Sequence, residues 1–173
     1  MLAREFWKAV TVDESNVLER FFALLEGQGV RYCLIDGQAV NAYADPVVSL
    51  DLNIVLAGDA MERLEPVLAE RFRIERFPHS LNVSDAGSAL RIQIQLDPRY
   101  ADFVTRASLR AVLGHELPVA AVEDVLQGKV WAAQDPARRA SKRLKDLSDI
   151  ARLIEAQPRL RERVPADILD RLC

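Results

Sequence analysis

An acid and an amide share one short apolar segment of this chain, VVSLDLNIVLA at residues 47–57. In a β-strand, Asp51 and Asn53 would lie on one face, and the opposite face would carry aliphatic side chains, Leu50, Leu52, Ile54 and Leu56. An unpaired carboxylate at a half-buried position is costly, so a partner is expected. A divalent metal ion bound by Asp51 and Asn53 is one candidate.

Two further stretches could complete such a site. The turn Asp36-Gly37-Gln38-Ala39 leads from a predicted strand into a short helix, and residues 90–97 alternate aliphatic with polar, mostly amide, side chains. Phosphoryl chemistry with a divalent metal needs converging oxygen ligands and backbone amides that hold a triphosphate. The chain offers both in order, although the same residues would also serve as an ordinary turn and a capped sheet edge.

Side-chain periodicity predicts the elements that position these residues. We expect strands at residues 30–35, 47–57, 73–77, 81–84 and 90–97, and a short edge strand or extended loop at 116–120. We expect helices at residues 13–26, 39–43, 60–71, 99–113, 122–133, from about 137 to 156, and 165–172. The amide-rich strand is predicted to lie beside the segment that carries Asp51 and Asn53.

Composition favours one folded unit. Half of the 173 residues are hydrophobic and 28% are charged, which is enough to bury one core. We expect a single domain over 1–173, with a strand-rich part at 1–120 and a helical tail at 121–173 packed on it. The net charge of -3 argues against a general polyanion-binding surface.

The cysteines and the N-terminus predict a cytoplasmic protein. Cys33 lies in an apolar run and Cys173 is the last residue, so the pair gives neither a disulfide framework nor metal-ligand spacing. Charged residues surround Phe6 and Trp7, unlike the apolar centre of a signal peptide, and no stretch approaches the roughly 20 apolar residues of a membrane span.

The predicted tail carries two acids at different angles. At about 100° per residue, Asp146 lies on a flank of the apolar stripe, whereas Lys145 and Asp149 lie away from it. Asp146 should therefore be partly buried beside a cation, and Lys129 or Arg143 could supply that cation. The same geometry would also suit a plain salt bridge between two helices.

Other charged residues allow more than one interpretation. The basic run 138–145 could contact RNA or phosphate, or it could be a solvated helix face with pairs between Lys142 and Asp146 and between Lys145 and Asp149. No aromatic residue interleaves the run as a stacking platform. His79 and His115 are isolated and are predicted to be turn residues.

Taken together, these motifs resemble those of the minimal nucleotidyltransferases, whose fold is shared with polymerase beta. Residues 35–39 look like their Gly-Gly-x-Ala turn, and residues 49–53 look like their Ser-x-Asp-hydrophobic-Asp strand. Residues 123–129 and 145–150 are similar to tail motifs of the abortive-infection toxin type. The resemblance implies an α+β fold with a small mixed sheet flanked by helices and a C-terminal helical tail.

The resemblance also implies an activity: transfer of a nucleoside monophosphate from a nucleoside triphosphate to an acceptor such as RNA, with Mg²⁺ or Mn²⁺, and with an antitoxin protein as partner. It assigns metal binding to Asp51 and Asn53, and catalysis to Asp51, Asn53, Gln95 and Lys129. It assigns nucleotide binding to Asp36, Gly37, Gln38, Ser49, Lys129, Arg143 and Asp146.

The departures from that pattern concern the metal site. Asp36 replaces the first glycine, Asn53 replaces the second carboxylate, and the third carboxylate falls on the neutral Gln93 or Gln95. Mg²⁺ is normally held by anionic oxygens, so this set should bind it weakly. Reduced or lost transfer is therefore expected, and the alternative is a non-catalytic member that binds a nucleotide or a protein partner.

Overall fold

The computed structural model describes residues 16–172. Its helices are α1 (Val17–Gly27), α2 (Asp36–Asn41), α3 (Ala60–Ala69), α4 (Val122–Gln134), α5 (Ala140–Ala156) and α6 (Ala166–Leu169), with 3-10 segments at Pro98–Arg106 and Pro158–Arg163. Its strands are β1 (Tyr32–Ile35), β2 (Asp51–Leu56), β3 (Arg73–Phe77), β4 (Ser80–Ser84), β5 (Arg91–Gln95), β6 (Ser108–Val112) and β7 (His115–Val119). The predicted helix start at residues 13–15, the residues around Trp7, and Cys173 lie outside the described residues.

The strands form one seven-stranded mixed sheet in the order β3-β4-β5-β2-β1-β7-β6. The central strand β2 pairs antiparallel with β1 and parallel with β5. This mixed sheet with its flanking helices confirms the predicted α+β class. The strand at residues 115–119 was expected at an edge, but β7 lies between β1 and β6.

The central strands β2 and β5 contribute aliphatic side chains to the hydrophobic core. Alternate side chains of β2 and β5 enter the hydrophobic core with residues of α1 and α3, among them Leu52, Ile54, Ile92, Ile94, Phe21, Leu25, Leu64 and Leu68. The helices α2, α4 and α5 contact one another, and α2 also contacts β2. Because β2 is buried from residue 52 to residue 56, both of its faces are covered. Leu50 precedes the strand and is exposed, contrary to its predicted place on the apolar face.

One predicted helix is wrong. Residues 99–113 form a 3-10 segment that ends at Arg106, followed by the strand β6. Ala107 has an extended backbone, with φ -68° and ψ 151°, which turns the chain out of the helical conformation. Four of the five side chains of β6 are exposed, so this edge strand shows no alternation that the sequence could reveal.

The helices also answer the question of a membrane span. Among residues 16–172, no helix combines the length and the apolar character needed to cross a bilayer.

Candidate functional site

The parallel pairing of β2 with β5 places the polar side chains of both strands side by side. Asp51 lies opposite Arg91, and Asn53 lies opposite Gln93. Gln95 follows on the same face of β5, because side chains two residues apart share a face. The sequence-based expectation that these two strands are neighbours is therefore confirmed.

A polar cavity of about 80 Å³ lies where these strands meet the helices α2 and α4. Its lining combines three amides, two acids and two cations with an aromatic wall, namely Asn53, Gln93, Gln95, Asp36, Asp124, Lys129, Arg138, Tyr100 and Phe103. Four predicted site residues are thus brought together: Asp36, Asn53, Gln95 and Lys129. Pockets that enclose a ligand usually measure roughly 300 Å³ or more, so this cavity cannot enclose a nucleotide.

Asp51 is paired with cations at the rim of this cavity. Its Oδ1 accepts a hydrogen bond of 2.9 Å from Nε of Arg91, and its Oδ2 lies 3.9 Å from Nζ of Lys142. The Asp51 side chain is 28% exposed. Lys142 was expected to pair with Asp146, and that prediction is wrong because Asp146 is fully buried with other partners.

Lys129 lies at the centre of a buried ion cluster. Its side chain is 3% exposed, and its ammonium lies 3.2 Å from Oδ1 of Asp146 and 2.8 Å from Oδ2 of Asp149. The same ammonium contacts Asp36 at the start of α2. Lys129 was predicted to face phosphate, but here its positive charge is already shared among three carboxylates.

Two arginines complete this cluster. Arg138 donates from Nε to Oδ2 of Asp146 at 2.8 Å, and Arg152 donates from Nη1 to Oδ1 of Asp149 at 2.8 Å. Three cations therefore face three carboxylates, and the charges balance. Buried ions are tolerated only when they are paired in this way.

The cluster also sets the protonation states of its members. Burial raises the pKa of Asp36, but the nearby Lys129 ammonium outweighs burial and lowers it to about 2. Burial lowers the pKa of Lys129, but Asp36, Asp149 and Asp146 reverse that effect and raise the pKa above its usual range. Both groups are therefore charged at neutral pH, and Lys129 is not suited to proton transfer there.

Three predictions on the tail need correction. Asp149 was placed away from the apolar stripe, and with it the pair between Lys145 and Asp149, yet Asp149 is buried with Lys129. Arg143 was a candidate partner of Asp146, but its guanidinium donates to the carbonyls of Asp135 and Arg138, and its contact with a nucleotide stays a prediction. These carbonyls belong to the connection between α4 and α5, so Arg143 stabilises that connection.

Sequence reasoning missed Arg138, Asp149 and Arg152 as members of the cluster. A signal was present, because residues three apart lie on one helix face and Asp146 and Asp149 are so spaced. The predicted orientation of Asp149 was taken relative to the aliphatic side chains of the helix alone. A buried polar face on the same helix was therefore not predicted.

The turn at residues 36–38 is shaped by close packing. Asp36 adopts a left-handed backbone with φ 62°. A Cβ on Gly37 would lie 3.2 Å from Nζ of Lys145 and 4.0 Å from Oγ of Ser49. Ser49 Oγ in turn accepts a hydrogen bond of 3.3 Å from the backbone N–H of Asp51. The predicted turn residues and Asp51 therefore do lie close together, and the Lys145 ammonium lies beside Gly37.

The Gln38 side chain contacts the loop that precedes β2. It is buried, and its Nε2 donates to the carbonyl of Ser49 at 3.2 Å. It also lines a second, mainly apolar cavity of about 410 Å³, together with residues 46–49 and 111–114. Its side chain thus fastens the loop before β2 to α2.

The donor set does not fit a protein-held magnesium ion. Asp51 is the single carboxylate of the predicted metal motif, and two cations already contact it. Asn53, Gln93 and Gln95 add only neutral oxygens, whereas Mg²⁺ is held mainly through carboxylates and phosphates. Within the part of the chain that is described, no three histidine, cysteine, aspartate or glutamate side chains are grouped so as to hold a metal.

An aromatic cluster forms one wall of the cavity. The rings of Tyr100 and Phe103 meet edge to face at 5.2 Å, and Trp131 stacks on Phe103 at 5.9 Å. A Cβ on Gly128 would lie 3.1 Å from Cε1 of Tyr100. The glycine in the middle of α4 thus allows the Tyr100 ring to lie directly on the helix.

Neither a protein-family model nor a curated protein matches the sequence. Solved structures do match the fold. The crystal structure of ANT(2'')-Ia in complex with adenylyl-2''-tobramycin aligns with a TM-score of 0.60 and 12% identity over 91% of this chain and 97% of its own. The solution structure of ANT(2'')-Ia, an antibiotic-resistance factor, aligns with a TM-score of 0.56 and 11% identity over 84% and 90%.

A third match is a nucleotidyltransferase-like protein from Paracoccidioides brasiliensis. It aligns with a TM-score of 0.53 and 16% identity, over 86% of this chain and 75% of its own. At such identities the similarity establishes the fold and no more. The chain therefore has a nucleotidyltransferase-like fold, as its sequence motifs suggested.

Proposed function

We propose that this chain binds a nucleoside triphosphate at the cleft between β2, β5 and α5, and that it is not an efficient nucleotidyltransferase. One observation carries the proposal: Asp51, the only carboxylate of the metal motif, is ion-paired to Arg91 and lies near Lys142. The fold supports a nucleotide as ligand, and the polar strands and cationic rim support its phosphates as the recognised group.

The loss of efficient transfer follows from electrostatics. Nucleotidyl transfer builds negative charge on the phosphate that is attacked and on the pyrophosphate that leaves, and preorganised positive charge must stabilise both. Lys129 is sequestered by three aspartates and is not aimed at a ligand. The cations at the rim can therefore bind and orient the phosphates, but Lys129 and Arg138, the two cations of the cavity lining, are both paired with Asp146.

The second candidate is metal-dependent transfer of a nucleoside monophosphate to a hydroxyl, with RNA as acceptor and an antitoxin protein as partner. The motifs of the toxin type in the tail favour it, and Asp51 remains as one anionic ligand. In this case the nucleotide's own phosphates must supply the other anionic oxygens for Mg²⁺ or Mn²⁺, because Asn53 and Gln95 are neutral.

Calorimetric titration of the four nucleoside triphosphates, combined with label transfer to bulk tRNA, separates the two candidates. We expect binding of at least one nucleotide and no label transfer above background by the native protein or by Asp51→Ala, with either metal present. Label transfer by the native protein that Asp51→Ala abolishes would establish the second candidate. A folded protein that binds none of the four nucleotides would contradict the proposed function.

A further inference from the structure

The rim of the cavity carries more positive than negative charge. Arg91 on β5, Lys142 on α5 and Lys145 on α5 lie around the segment from Gly37 to Asp51. Among residues 16–172, Asp51 is the one carboxylate that contacts Arg91 and Lys142. Lys145 forms no salt bridge with a described carboxylate, and its charge helps to lower the pKa of Asp36. The rim therefore carries two more positive charges than negative charges.

The charges below the rim do not cancel this excess. Asp36, Asp146 and Asp149 are balanced by Lys129, Arg138 and Arg152. The remaining carboxylate of the cavity lining, Asp124, accepts from Nε of Arg106 at 2.7 Å. The excess at the rim is thus a local property of this surface.

The three rim cations are also accessible to a ligand. The side chain of Arg91 is 63% exposed, and it uses only Nε toward Asp51, so both terminal nitrogens remain open to an anion. The Lys142 side chain is 38% exposed, and Lys145 is exposed. Guanidinium and ammonium groups in such positions bind phosphate oxygens through strong, charge-assisted hydrogen bonds.

We propose that Arg91, Lys142 and Lys145 bind the polyphosphate chain of a nucleotide directly, so that this chain needs no divalent cation for nucleotide binding. This inference rests on the function proposed above and specifies how that site works. The small cavity beneath the rim supports it, because a ligand that cannot be enclosed must be held at the surface by charge. Asp51 then weakens ligand binding, since its carboxylate competes with phosphate for Arg91 and Lys142.

Titration with each nucleoside triphosphate and with inorganic tripolyphosphate, in EDTA and again in Mg²⁺, tests this inference. We expect binding of nucleotide and of tripolyphosphate in EDTA, and about tenfold weaker binding in each of Arg91→Gln, Lys142→Gln and Lys145→Gln. Arg161→Gln is the matched control, because this exposed arginine lies beyond the far end of α5. Its affinity should equal that of the native protein.

Asp51→Asn gives the sharpest contrast with a metal site. Removal of a competing carboxylate should leave binding in EDTA intact and make it up to about fivefold tighter. A metal ligand would show the reverse, with weaker binding in Mg²⁺.

Each other outcome has a distinct meaning. Binding that appears only with Mg²⁺ would overturn this inference and leave the proposed function standing. Binding in EDTA that none of the three glutamine variants weakens would also overturn it. If no nucleotide binds in EDTA or in Mg²⁺, the proposed function itself is overturned. If tRNA binds and nucleotides do not, the rim is an RNA-binding surface instead. Thermal unfolding of each variant verifies that it is folded.

Discussion

The Nζ atom of Lys129 on α4 lies 2.8 Å from Oδ2 of Asp149 on α5, and both side chains are almost completely buried. The same ammonium contacts Asp36 on α2. Arg152 extends this connection, since it bonds both Asp149 and the side chain of Asn41 at the end of α2. One buried lysine thus joins three helices that are far apart along the chain.

Lys129→Met should lower the free energy of unfolding by about 3–5 kcal/mol, because it leaves Asp36, Asp146 and Asp149 with too few cations in a buried place. Urea denaturation monitored by circular dichroism measures the change. Lys142→Met is the control, since its side chain is 38% exposed and its loss should cost at most about 1 kcal/mol. Equal stability of the two variants would show that the cluster is not structural.

Asp36 should make stability fall in acid. Its pKa is about 2 in the folded chain against 3.8 for an ordinary aspartate, so the unfolded state binds the proton first. The contribution of Asp36 is therefore complete above about pH 4 and is lost as the pH falls toward 2.

The measurement is the free energy of unfolding between pH 2 and pH 6, for the native protein and for Asp36→Asn. Asparagine tolerates the left-handed backbone at this position, where φ is 62°. The variant should have a shallower dependence on pH over this window. Parallel curves would show that Asp36 has an ordinary pKa.

Gly128→Ala should destabilise the chain even though alanine favours a helix. The new Cβ would lie 3.1 Å from the ring of Tyr100, which is packed against Phe103 and Trp131 and cannot move freely. We expect a loss of about 1–2 kcal/mol after the gain of roughly 1 kcal/mol in helix propensity. Gly27→Ala is the matched control, because its Cβ would meet no atom within 4 Å. That variant should be as stable as the native protein or more so.

Asn53→Asp should make the stability of the chain depend on a divalent metal, because it restores the second carboxylate of the predicted metal motif. Asn53 is 9% exposed and lines the cavity with Asp36, so a new carboxylate there is uncompensated. We expect a loss of about 1–3 kcal/mol without metal and a partial recovery in millimolar Mn²⁺. Thermal melting with and without Mn²⁺ checks this result. Asn82 lies on β4, opposite Gln93 of β5 and outside the cavity, so Asn82→Asp should show no recovery of stability in Mn²⁺.

The parts of the site that lie on strands with alternating polar and aliphatic side chains could be predicted from the sequence. The alternation along residues 51–55 and 91–95 placed the amides on one face, and the structure pairs these strands in register. The partners of Lys129 could not be predicted in the same way. They come from α2 and α5, and only the packing of three helices decides which carboxylates face one ammonium.

Local pairing and burial explain which of the strands could be predicted from the sequence. Residues 73–77 were predicted as a strand with the observed bounds, since they pair locally with β4 across a short turn. Residues 108–112, which form β6, were predicted as part of a helix. Four of their five side chains are exposed, so the sequence shows no alternation that would indicate a buried face. An edge strand is specified by its pairing partner, and here that partner lies after β6 in the chain.

The contrast between a buried, balanced cluster and an exposed, unbalanced rim has a consequence for ionic strength. Dissolved ions screen charges that are exposed to solvent over about 10 Å at 0.1 M, and they screen buried pairs much less. Potassium chloride should therefore weaken phosphate binding at Arg91, Lys142 and Lys145 while the ion pairs of Lys129 remain intact. Salt thus acts on the ligand-binding charges and leaves the architectural charges of the same cleft unaffected.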